Sequence, residues 1–171
     1  MTVHQELLAR AIDIARQARV NGNHPFGALL ADADAGVVLT AENTVVTESD
    51  PTGHAETNLV RLAGRGYSAT ELAALTLYSS AEPCAMCSGA IYWSGIGAVV
   101  YALAETALYE IIGDDPKNPT LVLPCRTVFA AGQRPITVRG PVRDRGRRPG
   151  ARRVLGPLRS CSAGAATSSQ M

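Results

Sequence analysis

The chain has 171 residues, 46% apolar and 18% charged, with a mean hydropathy of +0.05. This fits one globular domain with its own core and excludes a wholly disordered or collagen-like chain. The net charge of +1 hides an imbalance: residues 1–139 carry 9 basic and 14 acidic side chains, a net of −5, while residues 140–171 carry 7 Arg and 1 Asp, a net of +6.

Thr2 and Gln5 form a capping-box pattern, and Leu7, Ala11, Ile14 and Ala18 recur on one face, so a first helix is expected over 3–20. Asn21-Gly22-Asn23 ends it. Residues 27–33 and 37–46 flank the turn signature Asp34-Ala35-Gly36 and predict a β-hairpin. Asp50-Pro51-Thr52-Gly53 is a loop leading into a helix over 54–64, with Leu59, Leu62 and Ala63 available for burial. Residues 75–79 read as a strand, 84–94 as a helix with Pro83 at its first turn, and 96–101 as the next strand. Helix is then expected over 104–112, loop over 113–124, and a last short strand over 136–138. The alternation predicts an α/β domain with a mixed sheet. From Gly140 onward no period remains, and a basic, disordered tail is expected behind a domain spanning 1–139.

No run approaches the roughly 20 apolar residues of a membrane span, and the start MTVHQELLAR lacks the profile of a secretory signal. A cytoplasmic protein with no membrane partner is expected. The basic tail is a weak case for nucleic acid, because a polyanion-binding protein spreads its basic residues over a folded face.

The chemistry concentrates in two short segments. His54-Ala55-Glu56 is followed, thirty residues after the histidine, by Pro83-Cys84-Ala85-Met86-Cys87. His-x-Glu with Pro-Cys-x-x-Cys is the signature of zinc-dependent nucleobase deaminases. One imidazole and two thiolates, His54, Cys84 and Cys87, supply the three protein ligands that catalytic Zn2+ takes, leaving one position open. Helix starts favour thiolate over thiol at both cysteines. Glu56 stays unligated and can carry protons between an activated water, a ring nitrogen and the departing ammonia. A redox Cys-x-x-Cys pair is the competing reading, as is a closed structural zinc with Cys125 or Cys161 as fourth ligand. His4 and His24 are read as solvent or loop residues.

From His24 to about Asp115 the chain resembles the cytidine deaminase superfamily, and within it the guanine deaminase type. The segments that carry this are His24-Pro25-Phe26-Gly27-Ala28, Asn43 with Asp50-Pro51-Thr52-Gly53-His54-Ala55-Glu56, and the run from Glu82 to Trp93. The resemblance implies a three-layer α/β/α sandwich with a five-stranded mixed sheet, a homodimer, and a small-molecule nucleobase or nucleoside as substrate. The leading reaction is guanine to xanthine and ammonia. Bacterial tRNA adenosine deaminases share much of the pattern and remain an alternative, as does cytosine deamination. Ile91-Tyr92-Trp93 and Gly113-Asp114-Asp115 resemble the guanine type, and an acidic body would repel tRNA.

Carried over by position, Asn43 would bond the base or ribose, Phe26 would stack on the base, the backbone near Ala55 and Glu82 would hold its reacting edge, and Asp114 would read an N–H group. Phe26 could equally be core, Asn43 could instead close a turn, and Asp114 could be solvated. Trp93 reads as packing or dimer contact. The chain departs from the family in having no aromatic residue after Phe129; an out-of-frame C-terminus around Arg153-Val154-Leu155-Gly156 is the expectation this raises.

Overall fold

A computed structural model of the chain describes residues 1–113 and 121–142. The first helix, α1 (Val3–Val20), opens on the expected capping box: the Thr2 hydroxyl accepts from the Gln5 amide, and the Gln5 side chain accepts from the Thr2 amide. Its buried face is Leu7, Leu8, Ala11, Ala15 and Ala18, with Ile14 only half-buried beside it.

The hairpin strands are β1 (Gly27–Ala31) and β2 (Val37–Glu42). Both stop short of the predicted ends because side chains take over the backbone bonding. Asp32 Oδ1 accepts from the amides of Asp34 and Gly36, which closes the turn early. Past Glu42, Asn43 accepts from the Val45 amide and Asn23 from those of Val46 and Thr47, which pulls that stretch out of the ladder.

Next come α2 (Ala55–Gly66), α3 (Ala69–Ala74), β3 (Thr76–Ala81), α4 (Ala85–Ser94) and β4 (Ala98–Leu103). The chain closes with α5 (Glu105–Ile112), α6 (Cys125–Ala130) and β5 (Thr137–Arg139). Neither α3 nor α6 was expected. The first is set by a capping box between Ser68 and Glu71. The second follows directly on the predicted loop, in a stretch given no element, and its amide end is held by a distant carboxylate described below. β4 starts two residues late, and Gly97 just before it lies against the Ala73 carbonyl, where a Cβ would come within 2.0 Å. Leu62, expected in the core, faces outward instead.

The five strands form one mixed sheet in the order β2-β1-β3-β4-β5, with β1 antiparallel to both neighbours and β3, β4 and β5 parallel. Side-chain alternation divides the core. Leu29, Ala31, Tyr78 and Val100 meet Leu7, Leu8 and Ala11 of α1 on one face. Ala28, Leu30, Leu77, Val99 and Tyr101 meet Leu59 of α2, Ile91 of α4 and Phe129 of α6 on the other. Helices therefore cover both faces, giving the expected three layers. No helix among the described residues is long and apolar enough to cross a membrane. Of the tail expected to be disordered from Gly140, residues 140–142 are described and the rest, with the out-of-frame terminus, lies outside the described residues.

Candidate active site

Two helix starts face each other on the second of these layers. His54 is the N-cap of α2, with φ −68° and ψ 150°, and Cys84 is the N-cap of α4, with φ −63° and ψ 173°. Cys87 follows three positions on, so it returns to the same side as Cys84. Pro83 precedes the cap rather than entering the helix.

His54 Nδ1 lies 3.6 Å from Cys84 Sγ and 3.5 Å from Cys87 Sγ, and the three donor atoms lie within 4.8 Å of one another. Tetrahedral zinc with bonds of about 2.3 Å to sulfur and about 2.1 Å to nitrogen needs N···S edges of about 3.6 Å, so the donors fit the ion. No fourth His, Cys, Asp or Glu joins this group among the described residues. Cys125 is buried away from it, its amide bonded to Glu82, and Cys161 lies outside the described residues. Among the described residues the set has three donors, the number an open site uses.

The charges are poised for a cation. Hydrogen bonding to Cys84 raises the His54 pKa against the opposing effect of burial. The Cys84 thiol is pulled well below its ordinary value, first by the hydrogen bond from Cys87, while the same contact and burial push Cys87 up.

Glu56, in the first turn of α2, is buried and stands outside the donor set. Its Oε1 accepts from the Ser79 hydroxyl at 2.7 Å, and its Oε2 accepts from Cys87 Sγ at 3.5 Å. Burial raises its pKa, partly offset by the Ser79 bond.

The remaining expected residues are placed as follows. Asn43 is buried at the end of β2, its Oδ1 taken by the Val45 amide at 3.1 Å and its own amide bonded to the Phe26 carbonyl. Phe26 is half-buried and packs against the core. Ala55 is buried as the first residue of α2. The buried carboxylate of Glu82 accepts from the Glu105 amide at 3.1 Å and the Cys125 amide at 3.0 Å, so it caps both α5 and α6. Asp114 lies outside the described residues.

Sequence reading missed four neighbours. Ser79 is one of three hydroxyl residues in β3 beside Thr76 and Ser80, and Thr57 is an ordinary helix residue; Thr57 Oγ1 reaches Cys87 Sγ at 3.3 Å. Glu105 is buried at the start of α5, its pKa pushed up to about 7 by burial and then by the Cys84 charge. His24 is in a loop as expected, but it is half-buried and near enough to His54 to feel its charge. His4 is not a solvent residue: it is half-buried on α1, with Nδ1 2.8 Å from the Tyr78 hydroxyl. A surface groove of about 630 Å³ lined by Ile14, Thr40, Asn58 and Arg61 includes none of the donors, so donor chemistry rather than concavity marks the site.

Residues 1–103 match the family model described as the cytidine and deoxycytidylate deaminase zinc-binding region, and the chain belongs to this family of zinc-binding deaminases. The chain is 40% identical over 134 residues to a probable cytosine deaminase of Schizosaccharomyces pombe, covering 78% of this chain and 81% of the relative. It is 40% identical over 115 residues to a guanine deaminase of Bacillus subtilis, covering 66% and 72%. A tRNA-specific adenosine deaminase of Haemophilus influenzae is 33% identical over 101 residues, covering 59% and 58%. Among solved structures, a guanine deaminase from Nitrosomonas europaea superposes with a TM-score of 0.63 at 27% identity, covering 79% of this chain and 75% of that one.

Proposed function

We propose that this deaminase hydrolyses the exocyclic amine of a free nucleobase or nucleoside, with guanine to xanthine and ammonia as the leading reaction. The observation that carries the reading is Glu56, a buried carboxylate outside the donor set whose Oε2 stands 3.5 Å from a ligand sulfur. His54, Cys84 and Cys87 would hold the zinc, which when bound would supply the Lewis acid that makes water nucleophilic at neutral pH.

The protein's own residues manage the protons. Ser79 holds Oε1, which leaves Oε2 to take a proton from the attacking water and pass it to the ring nitrogen beside the amidine carbon. The second proton of that water goes by the same oxygen to the amine, which leaves as ammonia. With Asn43 Oδ1 bound to the Val45 amide, its NH2 group is left to donate to the base. The first amide of α2, at Ala55, and the backbone of Glu82 flank the reacting edge, Phe26 offers a stacking face, and Asp114 reads an N–H group of the substrate. The half-buried packing of Phe26 against the core supports a fixed rather than a mobile face.

Guanine is preferred on the His24-Pro25-Phe26-Gly27 and Ile91-Tyr92-Trp93 segments and on the guanine deaminases among its relatives. The net −5 of residues 1–139 opposes tRNA as substrate. Cytosine is the second reading, favoured by the longer match to the probable cytosine deaminase. We place the enzyme in the cytoplasm as a homodimer, for which Trp93, 85% exposed on α4, and the exposed Met86 and Leu62 offer apolar surface. Ammonia release from guanine, guanosine, cytosine, adenine and a tRNA anticodon stem tests the substrate. Guanine turnover is expected, and turnover of the RNA alone would overturn the reading.

A further inference from the structure

The two metal-bearing helices meet through the residues three positions past their caps, Thr57 of α2 and Cys87 of α4. Thr57 Oγ1 lies 3.3 Å from Cys87 Sγ, a normal length for a hydroxyl bonded to sulfur. A thiolate that binds a metal has no proton to give, so in the loaded protein the Thr57 hydroxyl is the donor. We propose that Thr57 is a positioning residue for the zinc ligand Cys87: its hydroxyl donates to the thiolate, fixes the sulfur, and limits the charge that sulfur gives the metal.

The two sulfurs are thereby unequal. A charge-assisted bond to thiolate is stronger than the same bond to thiol, so the hydroxyl stabilises the metal-ready state more than the metal-free one. Partners of this kind typically alter metal affinity 10- to 100-fold when removed. The proposal rests on the zinc centre and not on the identity of the substrate.

The test uses the full chain loaded with Co2+, whose thiolate-to-metal charge-transfer band reports on sulfur donation, with chelator competition as a second readout. Thr57→Val keeps the shape and removes the donor. Its band is expected at longer wavelength, because an unbonded thiolate gives up charge more easily, and its affinity for Co2+ and Zn2+ is expected to fall about tenfold. Thr57→Ser should restore both, and Thr57→Ala should repeat the valine result if valine disturbs packing. An unchanged band and affinity in the valine and alanine variants would overturn the proposal. So would failure of serine to restore them, since the side-chain shape would then be responsible. A wild-type protein that binds Co2+ with no thiolate band would remove Cys87 as a ligand, and the proposal with it, whereas a normal wild-type band with no guanine turnover would count only against the substrate.

Discussion

Glu56 uses its two oxygens differently: one is anchored on Ser79 in the sheet and the other lies against the ligand sulfur. Glu56→Gln keeps the shape and removes the proton carrier, so it should retain zinc while losing turnover by about 10²- to 10⁴-fold. Zinc content measured beside ammonia release checks this, and a near-normal rate would show that another group moves the protons. Glu105 gives a pH signature of its own. Burial raises its folded pKa from 4.5 to about 7, so its contribution is fully present below pH 4.5 and is lost as pH rises through 7. With metal chelated, the wild type should lose more stability than Glu105→Gln between pH 5 and pH 8. Urea midpoints at the two pH values measure the difference, and parallel losses would place the Glu105 carboxyl in water.

At the scale of elements, Glu82 joins parts of the chain far apart in sequence. It lies at the end of β3, one residue before Pro83-Cys84, and its two oxygens hold the first amides of α5 and α6. Glu82→Ala leaves two buried donors unpaired and should cost about 3 kcal/mol of stability. Denaturant unfolding reads this directly, and a loss under about 1 kcal/mol would mean that other groups or water take over. The Glu82 cap also marks the limit of what sequence could show. The grouping of the three candidate donors with Glu56 beside them was legible because their spacing is local and chemically specific, and α1 because cap and apolar face agree. A helix such as α6, six residues long and capped from 43 positions away, carries no local sign of its start. Ser79 and Thr57 were illegible for the same reason: a hydroxyl in a strand or helix is commonplace until the fold shows what it touches. The box at Ser68 and Glu71 was there to be read, and α3 was missed only because a six-residue helix shows little period.

For the whole molecule, the last described contacts set a working boundary. Val142 donates to the Tyr101 carbonyl at 3.0 Å, and Arg126 donates to the carbonyls of Val138 and Gly140, so bonding continues three residues past the expected boundary at 139. No buried side-chain nitrogen or oxygen among the described residues lacks a partner. A chain ending at Val142 should therefore fold, bind zinc and keep its activity on a free base, whereas one ending at Arg139 should be less stable. Melting temperature and ammonia release on both truncations decide it. Loss of activity in the longer one would show that residues 143–171 serve the site.

The placement of the three ligands also bears on the unfolded chain. His54 and Cys84 are thirty positions apart, and a metal that joins them turns the segment containing α3 and β3 into a closed ring. A ring of that size in a denatured polymer forgoes conformational freedom equivalent to roughly 3 to 4 kcal/mol, by the reasoning that applies to disulfide cross-links. The ion is then a reversible clasp on the chain as well as a reagent. Stripping it with a chelator should lower the unfolding free energy, because the ion binds the folded chain in preference to the unfolded one, and indistinguishable urea midpoints with and without metal would mean that the packed helices alone keep the ring shut.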